Sequence, residues 1–208
     1  MKARRLTIVL TAGYLLCQIL ADITAVKLAG PIFGQFVPAA VFIYAVTFTW
    51  RDLVHRHLGK ETAIALVWTA GVANVLMAAY LLLTVSLPPA PFWPNQDAYA
   101  TILGIVPRIV VASIIAELVS QLIDTQIYHS LLRRRPWVGV VASNAVALVV
   151  DSIIFCGLAF IGTMPLFSVG VIAWGQVLVK AAITVLSLPL IYIVRRQDGE
   201  TDADVGQD

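Results

Sequence analysis

Charged and amide side chains stand inside long apolar segments of this chain, a placement suited to binding polar molecules or ions. The apolar segment 104–135 contains four of them: Arg108, Glu117, Gln121 and Asp124. A charged group at the centre of a bilayer costs roughly 2.5–3.5 kcal/mol even on the mildest scale, so a helix that holds several is expected to use them. At about 100° per residue, Glu117, Gln121 and Asp124 share a helix face with Ser113 and Ser120, whereas Arg108 does not. The pattern predicts one polar face on this helix.

Ionisable residues recur in three other apolar segments: Asp22, Lys27, Asp151 and Lys180. At about 1.5 Å per residue, Asp22, Asp151 and Lys180 lie at a depth similar to that of Glu117. Helical spacing adds hydrogen-bonding neighbours on the same faces: Tyr14 and Gln18 near Asp22, Asn144 near Asp151, and Gln176 near Lys180. The simplest interpretation is one buried polar cavity, near the middle of a membrane or in its outer half. Such a cavity is typical of a transporter.

A purely structural alternative stays open at this point. Acids and bases inside a helix bundle can pair with one another, and such interhelical bonds contribute only about 0.6 kcal/mol on average. A catalytic carboxylate pair is disfavoured, because Glu117 and Asp124 lie two turns apart on one helix, about 10 Å. Cys17 and Cys156 are isolated, so neither a disulfide nor a metal site is expected. We predict no enzyme activity and no cofactor, and the chain lacks a phosphate-binding loop of its own.

The composition places the chain in the membrane-protein class. Of 208 residues, 60% are hydrophobic and 12% are charged, and the mean hydropathy is +0.89. That leaves too little polar surface for a soluble domain of this size. Apolar runs of about 20 residues predict an all-α polytopic protein with six transmembrane helices. The predicted spans are 6–27, 35–54, 62–87, 103–132, 137–161 and 167–194.

Basic residues alternate in position with these six spans. Eleven of the fourteen form four clusters: Lys2, Arg4 and Arg5; Arg51, Arg56 and Lys60; Arg133, Arg134 and Arg135; Arg195 and Arg196. The connections 28–34, 88–100 and 162–166 contain no Lys or Arg. Because basic loops stay on the cytoplasmic side, both termini are predicted to be cytoplasmic. Residues 1–196 form one transmembrane domain in this interpretation, and 197–208 form an acidic, disordered tail.

Two motifs support a family resemblance. They are Gly104-x-x-Pro107-Arg108-Ile109 continuing to Ser120-Gln121-x-Ile123-Asp124, and Asp151-Ser152-x-x-Phe155. With further agreement around Lys27, Lys60 and Lys180, the chain resembles the queuosine precursor transporter family over nearly its whole length. The resemblance implies import of 7-deazaguanine bases, namely the 7-cyano and 7-aminomethyl precursors or queuine. It also implies a six-helix fold like that of the substrate-binding subunits of energy-coupling-factor vitamin transporters.

A 7-deazaguanine presents N–H donors, one carbonyl acceptor and two flat apolar faces. Asp124 or Asp151 is therefore expected to meet the donors, Arg108, Gln121 or Lys180 the carbonyl, and Phe155 or Tyr14 a face. Lys180 could instead neutralise Asp151, because two unpaired acids in one dry cavity are costly. The predicted substrate-binding residues are Asp22, Arg108, Glu117, Gln121, Asp124, Asn144, Asp151, Phe155 and Lys180.

The chain departs from the family pattern at several positions. Many members have Asn where this chain has Asp22, and an aromatic residue where it has Glu117. One hypothesis is that an added acid meets the ammonium group of the 7-aminomethyl precursor. The alternative, left open, is that Asp22 and Glu117 only balance Lys27, Arg108 or Lys180.

Localisation and partners follow from this interpretation. The chain is predicted to be a multi-pass protein of the cytoplasmic, or inner, membrane, with a small-molecule base and the lipid bilayer as partners and no nucleic acid. A homo-oligomer is left open. So is a role as a substrate-binding subunit that docks on an ATP-driven module, and so is a structural protein without a ligand.

Overall fold

The structure is a computed structural model, and it describes residues 2–32, 34–132 and 136–201. Within those ranges the side chains at 2–4, 45, 48, 49, 51–53, 55, 56, 60, 124, 125, 128–132, 136–144, 184 and 186–201 are not part of the description. The chain is mostly helical. The elements in order are α1 (Lys2–Thr24), β1 (Leu28–Ile32), β2 (Gln35–Pro38), α2 (Ala40–Leu58), α3 (Lys60–Ser86), α4 (Gln96–Leu103), α5 (Val106–Leu132), α6 (Pro136–Phe160) and α7 (Leu166–Thr201).

Long helices occupy the apolar runs that the sequence marked as spans. Within the described residues, four segments are long and apolar enough to cross a membrane: Arg5–Thr24, Glu61–Ser86, Gln96–Ile123 and Leu166–Ile183. Ala145–Phe160 is a shorter apolar helical segment. The prediction of a helical, multi-pass protein is confirmed at this level. The count of six spans and the cytoplasmic termini stay predictions.

A short β-hairpin joins α1 to α2, where the sequence predicted a plain loop at 28–34. Strands β1 and β2 pair antiparallel, with Ala29 opposite Val37. The predicted second span began at position 35, but Pro38 has no N–H to contribute to a helix, and α2 begins at Ala40. The pairing satisfies backbone groups between the two helices, and Ala39 N donates to the Lys27 carbonyl at 2.8 Å.

The connection between α3 and α5 contains the additional helix α4, which the sequence analysis did not predict. Tyr99 Oη donates to Thr84 Oγ1 at 3.0 Å, and Gln96 Nε2 donates to the Val85 carbonyl at 2.9 Å. Trp93 packs edge-on against Tyr99, with ring centroids 5.6 Å apart. These bonds hold α4 against the end of α3.

Small side chains allow the helices of the main core to approach closely. This core includes Ala21 of α1 and Ala25 just after it, Ala112 and Ala116 of α5, and Ala159 of α6. Close approach of backbones is the usual basis of helix packing in membranes, where apolar burial alone gives little driving force. Helix α5 packs mainly against α6, and this pair forms one wall of the cavity described below.

Helix α7 packs against the hairpin through a glycine. A Cβ built on Gly175 would lie 2.5 Å from the Phe36 carbonyl oxygen and 3.3 Å from Val37 Cγ1. Val37, Val41 and Val179 form a buried cluster beside this contact. The predicted tail begins within α7, which continues to Thr201; residues 202–208 lie outside the described part, and the tail stays a prediction.

The Gly175 contact predicts a specific loss of stability. Gly175→Ala places a methyl group against a backbone oxygen that cannot rotate away, and overpacking of this kind typically costs about 1–3 kcal/mol. We expect a lower thermal midpoint for the purified variant in detergent. Gly170→Ala is the matched control on the same helix, because a Cβ there meets nothing within 4 Å. Equal midpoints for the two variants would contradict the close contact.

Candidate functional site

A cavity lies between α1, α2, α5, α6 and α7. Its lining combines small apolar, aromatic and ionisable side chains: Ala21, Asp22, Ala25, Ala40, Val41, Tyr44, Ser113, Asp151, Phe155, Gln176 and Lys180. The small alanine side chains leave room for the cavity. The Asp, Ser, Gln and Lys side chains face it from α1, α5, α6 and α7. Asp22, Asp151, Phe155 and Lys180, which the sequence analysis selected from three different segments, thus meet in one place.

An ion pair joins two helices across this cavity. Lys180 Nζ of α7 lies 2.6 Å from Asp151 Oδ2 of α6, and the two side chains are only 9% and 14% exposed. The ammonium group also lies 4.8 Å from the centroid of the Tyr44 ring on α2. Burying either charge alone would be costly, and a close, charge-assisted hydrogen bond offsets much of that cost. The pair therefore ties α6 to α7 while keeping two charged groups at the cavity.

Asp22 also lines the cavity and is bonded differently. Ser113 Oγ of α5 donates to Asp22 Oδ1 at 3.0 Å. The second oxygen, Oδ2, is buried and has no hydrogen-bond partner among the described residues. A buried acceptor without a donor is uncommon in native structures, and it calls for an explanation such as a ligand or a water molecule.

Aromatic and amide side chains complete the walls. Phe155 is buried and packs edge-on against Phe160, with ring centroids 6.0 Å apart. That contact fixes the Phe155 ring at the cavity. Gln176 is also buried, and its Oε1 accepts a long bond of 3.7 Å from Cys156 Sγ. Cys156 thus lies beside the cavity as a weak donor and packing residue.

Glu117 and Gln121 lie beside the cavity and are not part of its lining. They follow Ser113 at intervals of one turn on α5, and Gln121 Nε2 donates to Glu117 Oε1 at 2.9 Å. Glu117 is close enough to Asp22 for the two carboxyl groups to interact electrostatically. The polar face predicted for this helix therefore begins at the cavity and continues away from it.

The structure places Arg108 away from the cavity. Its Nε donates to the Leu158 carbonyl at 2.6 Å, and its Nη2 donates to the Ile161 carbonyl. The last carbonyl groups of a helix have no partner within the helix, so Arg108 of α5 caps the end of α6. The side chains of Asp124 and Asn144, two further predicted binding residues, lie outside the described residues.

Sequence reasoning did not select Tyr44. It lies in an apolar stretch that has no charged residue within one helical turn of it. The one signal in the sequence was its own hydroxyl group, on an aromatic side chain in an otherwise apolar stretch. Tyr14, which was considered for stacking on a ligand, belongs instead to a separate buried cluster with Leu10 and Val54. There its hydroxyl accepts a bond of 3.0 Å from Gln18 Nε2.

The arrangement is suited to binding a small polar molecule. It offers an anion, a cation and an amide beside two aromatic rings in a buried space, which is the usual make-up of a ligand site. Across the residues that could be searched, no group of three or more His, Cys, Asp or Glu side chains could hold a metal ion.

The Asp151 and Lys180 pair gives a test of the site's energetics. Lys180→Met leaves Asp151 buried without its partner, and breaking a buried pair from one side typically costs about 3–5 kcal/mol. We expect a large fall in the thermal midpoint of Lys180→Met, which adding Asp151→Asn should largely reverse. Lys27→Met, at an exposed lysine, is the control. Additive effects of the two cavity substitutions would show that the pair is not coupled.

Comparisons with known proteins identify a family for the chain. The chain is 29% identical over 171 residues to a protein of Bacillus subtilis (strain 168) named "Probable queuosine precursor transporter", with 79% of this chain and 74% of that protein covered. No solved structure matches the chain significantly. The model of the family described as "Putative vitamin uptake transporter" matches residues 38–194, a region that holds α2 to α6, most of α7 and most of the cavity lining. The chain is therefore a multi-pass membrane protein that belongs to this transporter family.

Proposed function

We propose that this chain imports a queuosine precursor, a 7-deazaguanine base, across the cytoplasmic membrane. The observation that carries the proposal is the buried pair of Asp151 and Lys180 beside two aromatic rings. The name of the Bacillus subtilis relative, which shares 29% of aligned residues with this chain, supports the same class of ligand. Each feature of the cavity has a counterpart on such a base.

The polar edge of the base matches the ion pair. A 7-deazaguanine carries a ring N–H and an exocyclic amine next to a carbonyl oxygen. Asp151 accepts hydrogen bonds and meets the N–H groups, while Lys180 has three N–H donors and meets the carbonyl. Because the two charged groups lie 2.6 Å apart, acceptor and donor stand side by side, as the edge of the base requires. We assign these two residues to the edge.

The apolar faces of the base match the aromatic residues of the lining. Phe155 and Tyr44 lie on different helices, α6 and α2, and both line the cavity. Flat rings stack favourably on aromatic side chains, which adds about 0.5–1.5 kcal/mol beyond the area they bury. We assign Phe155 to stacking, and Tyr44 takes the place first considered for Tyr14.

The remaining candidates divide by position. Arg108 uses its donors on the end of α6, so we assign it a structural role in holding the helix that carries Asp151 and Phe155. Glu117 and Gln121 form a polar continuation beside the cavity. We propose that they lie on the route between the site and one membrane face.

The proposal includes a membrane topology. Six spans in one domain of residues 1–196 would place the four basic clusters together in the cytoplasm, in agreement with the preference of basic loops for that side. The described helices supply a long helix for each span. Nothing in the comparisons supports the alternative of a binding subunit for an ATP-driven module, and we do not propose it.

Reporter fusions test this topology. A reporter that is active only outside the cytoplasm should be silent when fused after Lys60 or after residue 196, and active when inserted at Asn95. The physical reason is that Lys60 and residue 196 adjoin basic clusters, whereas the connection 88–100 has no basic residue. An active fusion after Lys60 would contradict the six-span arrangement.

Uptake of labelled 7-deazaguanine bases tests the function itself. Cells unable to make queuosine should accumulate the 7-cyano or the 7-aminomethyl base, or queuine, only when they express this chain. Asp151→Asn and Phe155→Ala should each lower uptake at least tenfold at limiting ligand concentration, because they remove an acceptor and a stacking surface from the cavity.

Matched controls separate a site effect from a general one. Asp97→Asn and Phe92→Ala make the same changes at exposed positions outside the long helices, and both should retain full uptake. Protein in the membrane is quantified for every variant. Absence of uptake of all three bases by well-expressed wild-type protein would refute the proposed function.

A further inference from the structure

The cavity has more negative than positive charge. Among its described lining residues, Asp22 and Asp151 are acids and Lys180 is the basic residue. Lys180 is bonded to Asp151 at 2.6 Å, whereas Asp22 accepts its described hydrogen bond from the neutral hydroxyl of Ser113. Glu117 lies close enough to add to the negative potential at Asp22. A bound cation would offset this excess.

Asp22 also has an acceptor ready for such a group. It is 6% exposed, and its Oδ2 has no partner among the described residues. Two other buried oxygens, Ser152 Oγ and Asn74 Oδ1, share this property, but neither residue lines the cavity. Asp22 therefore combines a buried position, a negative charge and an open acceptor at the binding space.

The surroundings of Asp22 favour an ammonium group over a metal ion. Sodium and divalent cations need several oxygen ligands at short distance. The described hydrogen-bond partner of Asp22 is the Ser113 hydroxyl, so the two side chains supply few oxygen ligands, and the described residues contain no group of three or more His, Cys, Asp or Glu side chains that could hold a metal ion. A primary ammonium needs only one strong acceptor and keeps its other donors for further bonds.

We infer that Asp22 is a specificity-determining residue that binds a primary ammonium group on the ligand through Oδ2. The inference rests on the proposed function and narrows it. Of two 7-deazaguanines that differ only in the substituent, the 7-aminomethyl base carries this cation and the 7-cyano base does not. In this arrangement Asp151 and Lys180 bind the base edge, and Asp22 binds the side arm.

Binding of the two bases to purified full-length protein tests this inference. Wild-type protein should bind the 7-aminomethyl base at least tenfold more tightly than the 7-cyano base. Asp22→Asn keeps the shape but removes the charge, so it should weaken binding of the aminomethyl base at least tenfold while changing that of the cyano base less than threefold. Asp22→Glu keeps the charge and should retain a preference for the aminomethyl base, and the control Asp97→Asn, at an exposed position outside the cavity lining, should keep the wild-type preference.

Each outcome decides one of the two proposals. Binding of neither base by folded wild-type protein would overturn the proposed function and this inference together. Equal binding, or a preference for the cyano base, would leave the proposed function standing and overturn the role of Asp22. The same holds if Asp22→Asn weakens both bases equally. Should Asp22→Asn fail to fold, Asp22→Ser removes the same charge with a smaller side chain, and the same comparison of the two bases decides the question.

Discussion

The central constraint on this structure is that charged groups inside an apolar helix bundle must be paired or used. The bond between Lys180 Nζ and Asp151 Oδ2 meets that constraint across α6 and α7. Once it is formed, the neighbouring groups have fixed positions around it: the Tyr44 ring next to the ammonium, and Phe155 one helical turn along α6 from Asp151. The pair is thus both the support of the cavity and its main source of hydrogen-bonding capacity.

The two acids of the cavity differ because of what surrounds them. Asp151 has a cation, and its charge is largely balanced within the protein. Asp22 has a serine hydroxyl and an open oxygen, so its charge is directed at the cavity. The same residue type thus has two different surroundings, and the difference arises from tertiary packing that brings a lysine to one acid and a serine to the other.

Much of this arrangement could be predicted from the sequence, and the exceptions have physical reasons. Apolar runs locate long helices because a helix makes its backbone hydrogen bonds within the segment. The ionisable residues Asp22, Asp151 and Lys180, at similar predicted depth, indicated a common cavity. Arg108 does not line the cavity, because its long side chain reaches the carbonyls of a neighbouring helix end, and its part in binding stays a prediction. The hairpin 28–38 was not predicted, because its first strand lies in a predicted connection and its second strand lies at the start of a predicted span. Tyr44 was not selected, because no charged residue lies within one helical turn of it on α2.

The glycine contact between α7 and the hairpin has a consequence for the cavity it does not touch. Gly175 lies against the Phe36 backbone oxygen, and Lys180 follows five residues later on the same helix. Because the hairpin also connects α1 to α2, one short element adjoins three helices of the bundle. The position of the lysine that pairs with Asp151 therefore depends in part on a close contact made outside the binding space.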